Sequence, residues 1–231
     1  KECSNVTALS IAQATALKVG MAYPSVLFSA TDREWIELRT LMNECAEDIA
    51  DTYDWQALKK TNTVTGDGTS VGFALPSDYS RMLRTANVWS SPYLWGMEHV
   101  VDTDRWLDYL ELPYRPVTGA WTIFEDEFKV IPELASGQTA KFIYMSNLTV
   151  NGDGGGTQTA FASDGDTFRL SEKLLQLWLV VRWKETKNYP SQTDLDAYNQ
   201  ELAYQMDRDG GSKPIVNASR NWPYGMGGWG W

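Results

Sequence analysis

The segment from Leu174 to Lys187 constrains this chain most. Leu174, Leu175, Leu177, Trp178, Leu179, Val180, Val181 and Trp183 leave almost no polar face to present to water. A helix that is apolar nearly all round has to be covered on several sides. Gln176 and Arg182 interrupt the run, which also falls short of the roughly 20 apolar residues that span a bilayer. Other elements must therefore be brought to this helix from elsewhere in the chain, with Ser171 placed to cap its start.

Three further helices are expected outside the middle of the chain. Residues 6–19 read as a short helix stopped by Gly20, a good C′ residue. Thr31-Asp32-Arg33-Glu34 matches a capping box. The helix it opens puts Trp35, Leu38, Met42, Cys45 and Ile49 on one face and ends near Tyr53. Pro190-Ser191-Gln192-Thr193-Asp194 restarts the chain, and the last helix carries Leu195, Tyr198, Leu202 and Met206 on one face before Gly210-Gly211. The tight turn Asn188–Ser191 predicts antiparallel packing of the last two helices.

The middle reads as strands. Thr61–Thr65 alternates and is β-branched, Gly66-Asp67-Gly68 is a turn, and Ser70 to Leu75 runs back. Trp121–Phe124 and Phe128–Ile131 flank an acidic turn, predicting a hairpin, and Ala140 to Val150 is a further strand. Asp102 to Leu110 is expected as a short helix between strands. Residues 151–166, rich in Gly, Asp, Thr and Ser, predict a long loop or an extended hairpin tip. The fold class is α+β: a helical bundle formed by N- and C-terminal helices, with a β-rich insertion and an extended C-terminal tail. The divisions fall at 1–57, 58–166, 167–211 and 212–231.

Little here suggests catalysis. The one histidine, His99, has no neighbouring triad partner, and His is the side chain acid–base work leans on. One His with Cys3 and Cys45 lacks zinc-ligand spacing, so no metal and no cofactor are expected. Gly152-Asp153-Gly154-Gly155-Gly156 lacks the Lys-Ser/Thr of a phosphate loop. The pairs Asp164/Asp166 and Asp67/Asp153 are better explained by turns than by calcium. Lys1–Asn5 has no apolar stretch, so no signal peptide is expected there. The net charge of −10 disfavours general adhesion to nucleic acid and suits DNA that passes without sticking.

Aromatics are the unusual component, with 11 Trp and 11 Tyr. Residues 212–231 hold Trp222, Tyr224, Met226, Trp229 and Trp231 among Gly and Pro. Ordering a dozen such residues costs about 12–24 kcal/mol. Burying one aromatic stabilises by about 4–6 kcal/mol, so four well-buried rings match the cost. These five residues are therefore candidate partner-binding side chains, and a dozen extended residues reach about 40 Å.

Several runs together resemble the head-to-tail adaptor (connector) proteins of tailed bacteriophages. They are Tyr53-Asp54-Trp55-Gln56-Ala57-Leu58, Thr61 through Gly68, Phe73-Ala74-Leu75-Pro76-Ser77-Asp78-Tyr79-Ser80-Arg81-Met82, Gly165 through Leu170, Arg182-Trp183-Lys184 and Arg208-Asp209-Gly210-Gly211. The order of these runs over about residues 7–211 carries the resemblance. Tail tubular protein A is a looser relative. The resemblance implies a non-enzymatic virion protein forming a ring, commonly twelve-fold, under the portal in the phage neck and assembled in the host cytoplasm. Its partners would be further copies, the portal and downstream tail or nozzle proteins, with DNA passing through the channel during ejection and no membrane contact. Trp55 would pin a helix to the insertion, and Phe73, Leu75 and Tyr79 would pack over its core. The alternatives are a carbohydrate-binding module using exposed Trp and Tyr, and a hydrolase using two carboxylates.

Overall fold

The computed structural model describes residues 6–92, 95–112 and 116–210. Its helices are α1 (Ala8–Val19), α2 (Arg33–Thr52), α3 (Thr103–Glu111), α4 (Glu172–Thr186) and α5 (Gln192–Asp209). The apolar helix is α4, and α1, α2 and α5 all pack on it. No residue from Leu174 to Lys184 is exposed. Leu174, Leu175, Leu179 and Trp183 lie in one core with Ile11 of α1, Leu38, Met42, Cys45 and Ile49 of α2, and Tyr198 of α5. Ion pairs fix the sense of the α4–α5 pair. Lys173 at the start of α4 meets Glu201 midway along α5, and Lys184 near the end of α4 meets Asp194 early in α5, at 2.5 Å in the second case. The helices are antiparallel, as the short turn predicts.

Helix ends follow local chemistry, with one departure. The Thr7 hydroxyl caps α1 by accepting from the Ser10 amide, and Gly20 closes it in the left-handed conformation at φ 76°. Ser171 caps α4 by accepting from the Leu174 amide. The capping box at Thr31 does not form. Asp32 is the N-cap of α2, so Glu34 falls one position too early to reach back.

The β-rich part is layered. One sheet pairs β1 (Lys59–Thr65) along the length of β8 (Thr139–Ser146), whose other edge takes β3 (Tyr79–Met82) and β4 (Trp89–Ser90). The second runs β2 (Gly72–Ala74), β7 (Glu127–Ile131), β6 (Ala120–Phe124) and β5 (Glu98–His99). Val64, Ala140, Phe142 and Tyr144 of the first sheet face Trp121, Phe128 and Val130 of the second across a shared core. On the far side of the second sheet, Trp106 and Tyr109 of α3 cover Ala120 and Ile131. The order is therefore α3, second sheet, first sheet. A small third sheet joins β9 (Val150–Asn151) to β10 (Thr157–Gln158) and β11 (Thr167–Phe168).

The β6–β7 hairpin forms as expected, over Glu125 and Asp126 at φ 57°. Two expectations fail. The chain after Gly66–Gly68 does not return along β1, because β1 pairs with β8 and β2 pairs with β7. The turn moves the chain between sheets. Asp67 anchors it by accepting from the Thr69 and Ser70 amides, and Gly66 approaches the Leu134 carbonyl too closely for any Cβ. The strand expected over Ala140–Val150 is split in two. The Asn147–Thr149 segment turns the backbone out of the first sheet, and Met145 and Val150 enter the helical core.

Candidate assembly surfaces and the joint between helices and insertion

Several of the runs that carry the resemblance meet where the helices join the β layers. Trp55 is buried, and its indole Nε1 donates to the Ile49 carbonyl at 2.7 Å. Its ring meets Tyr53 edge-on. Beside it, Asp54 accepts from the Arg81 guanidinium at 2.5 Å and from the Arg84 amide at 3.1 Å. Burial alone would raise the Asp54 pKa, but Arg81 and Arg84 hold it below the ordinary carboxylate value. Arg169 clamps two segments by donating to the Ala57 carbonyl at 2.6 Å and the Leu148 carbonyl at 2.5 Å. Asp209, at the end of α5, accepts from the Gln56 amide at 2.8 Å.

Asp78 forms a second hub at the base of the first sheet. It accepts from the Lys60 ammonium at 2.6 Å and from the Tyr144 and Ser146 hydroxyls at 2.8 Å each. Burial pushes its pKa up. The three donors outweigh that and bring it down to about 2. The same burial, reinforced by Asp78, pushes the Tyr144 hydroxyl up to about 12. Phe73, Leu75 and Tyr79 pack against the core between the sheets.

Of the carboxylates weighed for calcium, Asp67, Asp164 and Asp166 are occupied by the protein itself. Asp166 is buried and accepts from the Asp153, Ala162 and Ser163 amides, the Gln158 side chain and the Ser163 hydroxyl. Burial would raise its pKa, yet these donors keep it below the ordinary value. Asp164 accepts from the Leu27 and Phe28 amides, tying the loop after α1 to this segment. Among the described residues, no group of three or more His, Cys, Asp or Glu converges on a possible metal position. His99 stacks flat on Trp121 at 4.0 Å, and burial lowers its pKa. Cys45 is a buried free thiol whose pKa burial pushes far up, so it is inert packing. No helix among the described residues is long and apolar enough to cross a membrane.

Two surfaces of the insertion stay uncovered among the described residues. On the outer face of the first sheet, Thr61, Leu83, Ala86, Trp89 and Ile143 line a groove with Lys141 beside it. Trp89 is 53% exposed and Ile143 44%. On the opposite side of the insertion, α3 turns Asp104, Leu107, Asp108 and Glu111 away from its buried Trp106 and Tyr109. Sequence reasoning missed both surfaces. Period-2 alternation in β8 does set Lys141 and Ile143 apart from Phe142 and Tyr144, and that was the available signal. The candidate partner-binding residues Trp222, Tyr224, Met226, Trp229 and Trp231 lie outside the described residues.

A family model described as SU10 adaptor protein matches residues 6–219. Among the curated proteins no match is found. The match runs through both helical ends, the joint and the whole β insertion, so the chain belongs to the SU10 adaptor protein family, a family of phage adaptor proteins.

Proposed function

We propose that the protein is a virion subunit of the phage neck that forms a ring beneath the portal, connects head to tail and lines the DNA channel. The observation that carries this reading is the adaptor-family match from residue 6 to residue 219. In the proposed division, residues 1–57 and 167–211 form the helical body, 58–166 the insertion and 212–231 a docking tail that reaches the portal. Asp54, Asp78 and Asp166 are taken up holding backbone and hydroxyl groups, and His99 lies flat on a Trp. That supports a structural rather than an enzymatic part. The net charge of −10 suits a channel wall that does not grip DNA. Kinship to tail tubular protein A, a twelve-fold ring and contacts to downstream tail or nozzle proteins belong to the same reading.

Particle imaging of the purified chain with its cognate portal tests it. Rings seated on the portal are expected from the full chain. Deleting residues 220–231 should leave a folded chain, by circular dichroism, that occupies fewer portals. A full-length chain that stays monomeric with portal present refutes the ring reading.

A further inference from the structure

The two uncovered surfaces of the insertion face in opposite directions and differ in shape and charge. The groove on the first sheet is apolar, with Trp89 and Ile143 exposed along it. Its charged neighbour is Lys141, which is exposed and pairs with no carboxylate among the described residues. The α3 surface has the complementary character. Leu107 is 54% exposed and stands among Asp104, Asp108 and Glu111, with Leu112 exposed beyond the helix end. None of those three carboxylates forms an ion pair among the described residues, because Arg105 is engaged with Glu98 and the Tyr109 hydroxyl. The second sheet and the core between the sheets separate the two surfaces, so neither can cover the other within one chain.

Two different, mutually complementary surfaces on opposite sides of one body are what a heterologous, head-to-tail contact needs; an isologous contact would use one patch twice. We infer that the α3 surface of one copy seats in the first-sheet groove of the next, with Leu107 against Trp89 and Ile143 and with Lys141 facing Asp104 and Asp108. This rests on the proposed ring and names the contact that propagates it.

Charge reversal with a swap tests it on the full chain with portal present. Lys141→Glu alone should weaken association at least about tenfold, as should Asp104→Lys with Asp108→Lys, since like charges then face each other. Combining all three substitutions in one chain restores opposite charges and should bring rings back. An equimolar mixture of the two single-side variants should also recover rings, built of the two in alternation, because the α3 surface of each is then opposite in charge to the groove of the other. Rings unaffected by either reversal overturn this contact and leave the ring reading standing. Loss of rings without recovery in the swapped chain also overturns it, pointing to another occupant of the groove such as residues 212–231. Absence of rings from the unsubstituted chain overturns the ring reading and this contact together.

Discussion

Replacing Asp78 by Asn keeps the side chain's shape and removes its charge. The carboxylate is only 16% exposed and holds one ammonium and two hydroxyls. Its pKa falls from 3.8 unfolded to about 2 folded. That difference is worth about 2 kcal/mol of stability at neutral pH, an upper figure because the Lys60 partner is 40% exposed and screened. A depressed folded pKa stabilises fully above the unfolded value and is lost as pH falls through the folded one. The gap between the unsubstituted chain and Asp78→Asn should therefore be about 2 kcal/mol from pH 5 to 7. It should shrink below pH 4 and vanish near pH 2. Asp78→Ala should cost more, about 3–5 kcal/mol, because the buried Tyr144 and Ser146 hydroxyls then lack an acceptor. Urea unfolding at a series of fixed pH values, analysed with a common slope, measures each gap. An Asn variant within about 0.5 kcal/mol of the parent at pH 7 refutes the reasoning, as does a gap that stays constant down to pH 2.

Asp166→Ala removes the acceptor for five donors and should destabilise the chain by at least about 3 kcal/mol, with early proteolytic cleavage within residues 151–166 as the local readout. Gly66→Ala places a methyl 2.3 Å from the Leu134 carbonyl oxygen, so the crossing between sheets must shift. A loss of about 2 kcal/mol or more by thermal or urea unfolding is expected, and a neutral outcome would show that this turn yields easily.

Periodicity and capping made the helices legible because their determinants are local. Gly20 and Ser171 act within one turn of their own helices, although the capping box at Thr31 does not form. The need to cover α4 on several sides follows from its own residues, and α1, α2 and α5 meet it. The β6–β7 hairpin was equally local. Strand partners were not. Nothing near Thr61–Thr65 announces pairing with residues 139–143, and the Gly-Asp-Gly turn is chemically the same whether it reverses a strand or passes it to another sheet. The joint was hidden for the same reason. Asp54 finds Arg81 across 27 positions and Arg169 finds Ala57 across 112, so each residue alone reads as an ordinary surface charge.

The joint gains meaning from the placement of the two uncovered surfaces. Both belong to the insertion, while the helices form a separate core around α4. In the proposed ring a single rotation repeats from copy to copy until it closes, so a small error in the angle between insertion and helices would accumulate around the circle. One flexible connection could not hold that angle. Here five chain segments are locked at the same place by charged groups acting on backbone: Asp54 on the Arg84 amide, Arg81 on the Tyr53 carbonyl, Arg169 on the Ala57 and Leu148 carbonyls, and Asp209 on the Gln56 amide. Hydrogen bonds to charged groups are about twice as strong as neutral ones, and backbone partners leave little rotamer freedom. Tyr53–Leu58, Arg81, Arg169 and Asp209, all within the runs that resemble other adaptors, thus sit at the part of this fold whose stiffness a closed ring would depend on, while the contact surfaces lie on the layers that this joint orients.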